Sequence, residues 1–444
     1  MRPAAQRVAS PGLLLKLRQI HLARSFGEPP MRTYNSGLLA AALLVSTPGI
    51  AAPAGKNSPV WKAAAAARAS QIALLEKLVN IDSGTSDKLS GQKASDLVAS
   101  ELRALGMTVD LVPAELPTLP DNVVATLTGS GKGRVLLIAH TDTVFGPGTV
   151  ARRPFRTDGT RAYGPGVSDE KGGVVEGIYA IKLLRDLKYA DFAKITFLIE
   201  TSEEVGSPGS RALIGRLLAD ADAELNLEPG DAPDQMTVWR KGSNAFTITV
   251  KGRPAHAGVA PQDGRNAALE LIHQIQLADP LPKTGDGVTA NLTLLSAGAR
   301  YNIIPEDAEA TFNVRIRTKA QGEEIDAQFR RNAQTTVIPE TQVKVTRKIS
   351  FPPLPNNVGT DSLADRAERI YRTAGLNITR GGSGGASESA LAAEAGVAAL
   401  DGLGPVGGGF HSELEYLELS SLTPRLYLLT SLIMELGKNP PDRL

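Results

Sequence analysis

Between residues 61 and 81 apolar side chains recur at helical spacing, with Ile72, Leu75 and Val79 on one side. Residues 92–105 predict a second helix, closed by Gly106. Short β-type runs follow at 108–112, 122–127 and 135–138. Gly129-Ser130-Gly131-Lys132-Gly133 separates the last two; it lacks the spacing of a phosphate loop and is expected to be a hairpin turn. Residues 172–187 then read as a helix with Val174, Ile178, Ile181 and Leu184 on one face. A strongly apolar strand (195–199), a helix (210–218) and a strand (223–227) come next. This alternation argues for an α/β domain with a mainly parallel sheet covered on both faces.

The pattern changes near Arg240. Strand 246–250, helix 266–277, strands 289–295 and 310–316, helix 322–333 and strand 343–349 follow the βαββαβ order of a ferredoxin-like α+β module. Phe351-Pro352-Pro353-Leu354-Pro355 marks its exit. A helix at 361–374, a glycine-rich segment at 381–385, a short helix at 387–395 and a long helix from Thr423 then resume the first style. The expected organisation is a catalytic domain in two parts, 57–239 and 351–444, with a module inserted at 240–350. Residues 1–54 read as a leader. From Met31, the expected start, a basic residue (Arg32), an apolar run at 38–45 and small residues at 49–54 make a signal peptide. The run falls short of the ~20 residues that span a bilayer, so the expectation is an exported protein, periplasmic or secreted, with no stable membrane span.

Charge and composition narrow the chemistry. Lys plus Arg number 48 against 47 Asp plus Glu, so no basic excess points to nucleic acid. The chain has no cysteine, which leaves His, Asp and Glu as the available metal ligands. Of the five histidines, His21 lies in the leader and His273 sits inside a predicted helix, where a structural role is expected. The others fall beside carboxylates or glycines. His140 and Asp142 stand just past a buried strand, and ligands of open α/β sheets bind at the carboxyl ends of strands. Asp169 precedes a helix, Glu203 and Glu204 follow strand 195–199, and Glu228 follows strand 223–227. His411 sits far downstream, after Gly407-Gly408-Gly409. Two histidines and several carboxylates without sulfur fit a pair of divalent metals sharing a bridging carboxylate.

His140-Thr141-Asp142, Gly164-Pro165-Gly166 with Asp169-Glu170-Lys171-Gly172-Gly173, Glu203-Glu204, Glu228-Pro229, the segment from Gly252 to Gly258 around His256, and Phe410-His411 resemble the co-catalytic zinc exopeptidase and aminoacylase family in order and approximate spacing. The likeness spans residues 60–440. Asn302-Ile303-Ile304-Pro305 and Arg425-Leu426-Tyr427 extend it to the bacterial glutamate carboxypeptidases. One departure is Gly384-Gly385-Ala386-Ser387-Glu388, where the family carries Gly-Gly-Gly-Thr-Asp.

The resemblance implies two Zn2+ per chain, one held by His140, Asp169 and Glu228, the other by Asp169, Glu204 and His411. It makes Asp142 the carboxylate that orients His140 and Glu203 the general base. It gives His256 to the oxyanion, from a partner subunit in many relatives, and Arg315 with Asn302 to the substrate's free carboxylate. The expected activity is hydrolysis of an amide bond to a C-terminal amino acid, glutamate first, in a small or short-peptide substrate. An N-acyl-amino-acid deacylase or a dipeptidase needs the same site, and a non-catalytic binding module is the reading from another class. The module should expose an edge strand and pair two copies into a homodimer.

Overall fold

The computed structural model describes residues 54–443. The expected leader, with Met31 and His21, lies outside them. Strands β1 (Thr108–Val112), β2 (Asn122–Thr128), β3 (Arg134–His140), β4 (Lys194–Glu200) and β5 (Ala223–Asn226) join the short strand Ala398–Leu400 in one six-stranded sheet. Its order is β1, β2, β4, β3, β5, then Ala398–Leu400. The four strands from β4 to Ala398–Leu400 are parallel to one another. β1 and β2 add an antiparallel edge.

Strand alternation loads both faces with apolar side chains. Val135, Leu137 and Ala139 of β3 and Ile195, Phe197 and Ile199 of β4 face one core with helices Pro59–Val79, Lys171–Asp186 and Leu422–Lys438. Leu136, Ile138 and Leu198 face a smaller core on the other side with helix Arg211–Ala219. Gly173 lets helix Lys171–Asp186 start against the end of β5: a Cβ there would lie 2.1 Å from the Leu227 carbonyl oxygen. Among the described residues no helix is long and apolar enough to cross a membrane.

The segment 129–133 is not a hairpin turn. β4 lies between β2 and β3, so these five residues cross over its end. Three of their N–H groups bond instead to the loop before β4, Gly129 to Ala193, Ser130 to Ala190 and Gly131 to Phe192, and those of Lys132 and Gly133 bond to Gly437. Glycine run and flanking strands look alike in a hairpin and in a crossover; a long-range pairing decided between them.

A second sheet contains β6 (Gly242–Lys251), β7 (Thr289–Ala297), β8 (Asp307–Ile316) and β9 (Gln342–Phe351), in the order β7, β8, β6, β9, antiparallel throughout. Helices Ala267–Ala278 and Lys319–Asn332 cover one of its faces. Phe246, Ile248, Phe312, Val314 and Ile316 fill that core, while the intervening residues Asn313 and Arg315 point the other way. Phe329 packs on Phe246 and Phe312 with ring centroids 5.0 and 5.4 Å apart. Entry and exit of this layer are tied together: Arg240 and Leu354 exchange main-chain hydrogen bonds of 3.0 and 3.1 Å.

Phe329→Ala empties the centre of this second core. It should destabilise the protein by about 3–5 kcal/mol, read as a lower urea midpoint, and a loss under 1 kcal/mol would mean that the layer does not depend on this aromatic cluster.

Candidate metal centre

The five candidate metal ligands each arrive from a different strand end or loop. β3 ends on His140. Asp169 closes the turn before helix Lys171–Asp186. β4 ends at Glu200, and the short 3₁₀ turn Glu203–Val205 follows. Glu228 comes two residues after β5, and His411 lies on the loop after the strand Gly404–Gly408. His411 itself holds φ +60°, a left-handed conformation costly for a non-glycine residue and common where a site demands it.

These residues make two triads. His140, Asp169 and Glu228 each offer one atom, all within 4.8 Å of one another; Asp169, Glu204 and His411 do the same. Asp169 is common to both. Its Oδ1 is 3.3 Å from His140 Nε2 and its Oδ2 is 3.2 Å from His411 Nε2. Glu204 Oε2 lies 3.1 Å from His411 Nε2, and Glu228 Oε1 3.8 Å from His140 Nε2. Glu203 belongs to neither triad; its Oε2 stands 4.0 Å from His140 Nε2. Adjacent Glu203 and Glu204 diverge because a 3₁₀ turn has about three residues per revolution.

The electrostatics calls for cations. Burial alone would lower the pKa of His140, but the adjacent carboxylates of Asp142 and Asp169 outweigh it and hold the ring well above its ordinary value. Hydrogen bonds to Asp169 and Glu204 raise His411 to about 10. Burial pushes Glu228 up to about 8 and Glu203 well above the usual carboxylate range, with neighbouring carboxylates adding to both. His140 Nε2 is buried without a hydrogen-bond partner although it faces four carboxylates, those of Asp169, Glu170, Glu203 and Glu228, within 4.0 Å. Imidazole and carboxylate donors converging on two points, one carboxylate spanning both, fit two divalent cations.

Asp142 does more than the sequence suggested. His140 Nδ1 is 3.0 Å from the Asp142 main-chain oxygen and 3.4 Å from its carboxylate. That carboxylate accepts the N–H of Glu203 (3.0 Å), the N–H of Glu204 (3.3 Å) and the Thr85 hydroxyl (2.7 Å). It therefore positions the histidine and the paired glutamates together. Other partners went unnoticed in the sequence. Glu415 accepts N–H bonds from Gly166, Ser168 and Asp169 at 2.9, 2.9 and 3.1 Å. Glu170 accepts the His140 N–H at 3.0 Å. Arg240 grips Asp401 at 2.6 and 2.7 Å and reaches Glu228 at 3.4 Å. Only the place of Glu170 beside Asp169 hinted at such a role.

The triads open into a cleft of about 400 Å³ that runs to the open face of the second sheet. Arg315, Asn313, Ser243 and Phe351 line that side, and Arg240, Thr237 and Gly385 the other. Arg315 Nε bonds Asn313 Oδ1 at 2.9 Å, and burial draws its pKa below the usual guanidinium value. Among the described residues it has no carboxylate within 4.0 Å, so a structural ion pair does not account for it. His256 and Asn302 do not line the cleft. Both are exposed on one loop pair of the second layer, where the Ala257 N–H donates to the Asn302 carbonyl at 2.9 Å.

Residues 136–435 match the model of peptidase family M20/M25/M40. Carboxypeptidase G2 of Pseudomonas sp. (strain RS-16) is 35% identical over 412 residues, 91% of this chain and 98% of that one. Aminopeptidase PepT from Bacillus cereus has the same fold, with a TM-score of 0.68 at 21% identity, covering 84% of this chain and 99% of that one. So has a dinuclear metal binding peptidase from Bacillus subtilis, with a TM-score of 0.61 at 17% identity over 84% and 99% of the two chains. With a family match over most of its length and a relative aligned nearly end to end, the chain belongs to peptidase family M20/M25/M40 and is a metallopeptidase.

Proposed function

We propose that the protein is a two-zinc carboxypeptidase that hydrolyses the amide bond to a C-terminal amino acid. The carrying observation is an unpaired guanidinium, Arg315, facing the paired triads across one cleft. A guanidinium matches a carboxylate bidentately, so Arg315 anchors the free α-carboxylate and sets the scissile amide beside the acids. The likeness to carboxypeptidase G2 supports this reading, and the motif resemblance supports glutamate as the released residue.

His140, Asp169 and Glu228 would hold one zinc, and Asp169, Glu204 and His411 the other. Bound zinc polarises the amide carbonyl and lowers the pKa of water. Glu203 stays outside both triads and reaches the cleft, where its carboxylate takes a proton from the attacking water and passes it to the leaving amine. Asp142 keeps Glu203 in register through the 3.0 Å bond to its main-chain N–H.

Residues 240–350 serve in this reading as an inserted dimerisation domain. Edge strand β7 exposes Leu294 (66%) and Leu295 (61%), and helix Ala267–Ala278 exposes Leu269 (52%) and Ile272 (49%). A second copy would cover this edge. His256 and Asn302, absent from their own cleft, are then available to the partner's.

Glu203→Gln keeps size and hydrogen bonding but cannot accept the proton. Turnover of acyl-glutamate and related C-terminal substrates should fall at least ~10³-fold with two zinc ions still bound by elemental analysis; near wild-type turnover would remove Glu203 as the base. Arg315→Ala should raise KM at least ~10-fold for a free C-terminal acid and leave the corresponding C-terminal amide, already a poor substrate, unchanged. Equal losses on both would detach Arg315 from the carboxylate. Leu294→Glu with Leu295→Glu should convert a sedimenting dimer to a monomer with normal zinc content and little activity, whereas an active wild-type monomer at assay concentration would sink the dimer.

A further inference from the structure

Behind the triads, on the side away from the cleft, a second group of acids is buried. Glu388 is 2% exposed and Glu200 fully buried. Ser207 Oγ lies between them, 2.9 Å from Glu388 Oε1 and 2.8 Å from Glu200 Oε1. A hydroxyl has one proton. It lies within hydrogen-bond reach of both carboxyl groups, joins them, and can donate fully to only one of them at a time.

The other oxygen of Glu388 accepts from Asn226 Nδ2 at 3.1 Å. Asn226 passes the contact on, because its Oδ1 accepts the main-chain N–H of Glu228 at 3.0 Å. Ser207, for its part, closes the turn that carries Glu203 and Glu204: its N–H donates to the Ser202 carbonyl at 2.8 Å, and that of Gly206 to the Glu203 carbonyl at 2.6 Å. One carboxyl group therefore touches both arms of the site. The segment that delivers it is the one that departs from the family pattern. Gly385 and Ala386 line the cleft, but Glu388 is turned inward to Ser207 and Asn226, and Ser387 is turned inward to Asp401.

We propose that Glu388 is a positioning residue: its carboxyl group, joined to Glu200 through Ser207, fixes the Glu203–Glu204 turn and the Glu228 strand end relative to each other. Side chains that hold metal ligands in place are commonly worth 10–100-fold in affinity or activity. The inference rests on the two-zinc reading above, and its test separates the two.

Metal-free wild type, Glu388→Ala and Glu388→Gln are titrated with zinc chloride by calorimetry, their melting temperatures are recorded, and kcat and KM are measured for the zinc-loaded proteins. Glu388→Ala should bind zinc ~10–100-fold more weakly and lose kcat by a similar factor, with KM within about threefold. Glu388→Gln should recover both, since its amide can donate to Ser207 and accept from Asn226. A merely structural role would lower the melting temperature and leave zinc affinity and kcat of the folded protein alone; that result, or a Gln variant as impaired as the Ala variant, overturns the proposal. Should Glu388→Ala fail to fold, Ser207→Ala removes the shared bond with little loss of volume, and unchanged zinc affinity there overturns it equally. A wild-type protein that binds two zinc ions but cleaves no amide refutes the proposed activity, while the zinc titrations still decide the role of Glu388.

Discussion

Like charge confined out of water is the constraint on which the rest of this molecule turns. Asp169, Glu203, Glu204 and Glu228 converge at the floor of one cleft, with Glu170, Glu200 and Glu388 buried behind them. At an effective dielectric of about 20, two unit charges 4 Å apart repel by about 4 kcal/mol. Two or three uncompensated pairs would match the ~5–15 kcal/mol by which a whole domain is stable. The cluster persists only because compensating partners enter it: imidazolium rings or divalent cations in front, Arg240 at the side, the Ser207 and Ser210 hydroxyls behind. Each of those three solutions also fixes geometry, so electrostatic compensation and positioning are one feature.

The sheet supplies the convergence. Parallel strands β3, β4 and β5 end on the same edge, and each hands its acid or histidine to the same space. The glycine at 173 brings a helix start against that edge and Asp169 with it. His411 comes from a loop held in a left-handed turn, and Glu415 fastens the same loop to the segment that presents Asp169. The second sheet contributes the facing wall. Its period of two assigns Val314 and Ile316 to its own core and Asn313 and Arg315 to the cleft.

The secondary elements with a strong period, the change of style near Arg240, and the acids and histidines at strand ends are legible in the chain alone. Those signals are local: a buried strand followed by a polar residue, or helical spacing of Val174, Ile178 and Ile181, needs no partner to be read. The absence of cysteine narrowed the metal chemistry on composition alone. The assembled fold, by contrast, made 129–133 cross β4, since the pairing of β2 with β4 joins residues some seventy positions apart. It decided that the glycine-rich Thr379–Ser383 is a strand, because a neighbour, Gln235–Arg240, lies so close that a Cβ at Gly382 would strike the Trp239 ring. It also chose the partners of the site: Arg240 with Asp401, Glu415 with Asp169, and Glu388 with Ser207 and Asn226 are contacts across 161 to 246 residues. A carboxylate at such a position looks in the sequence like any surface acid. Burial gives it a role, and burial is a property of the assembled core.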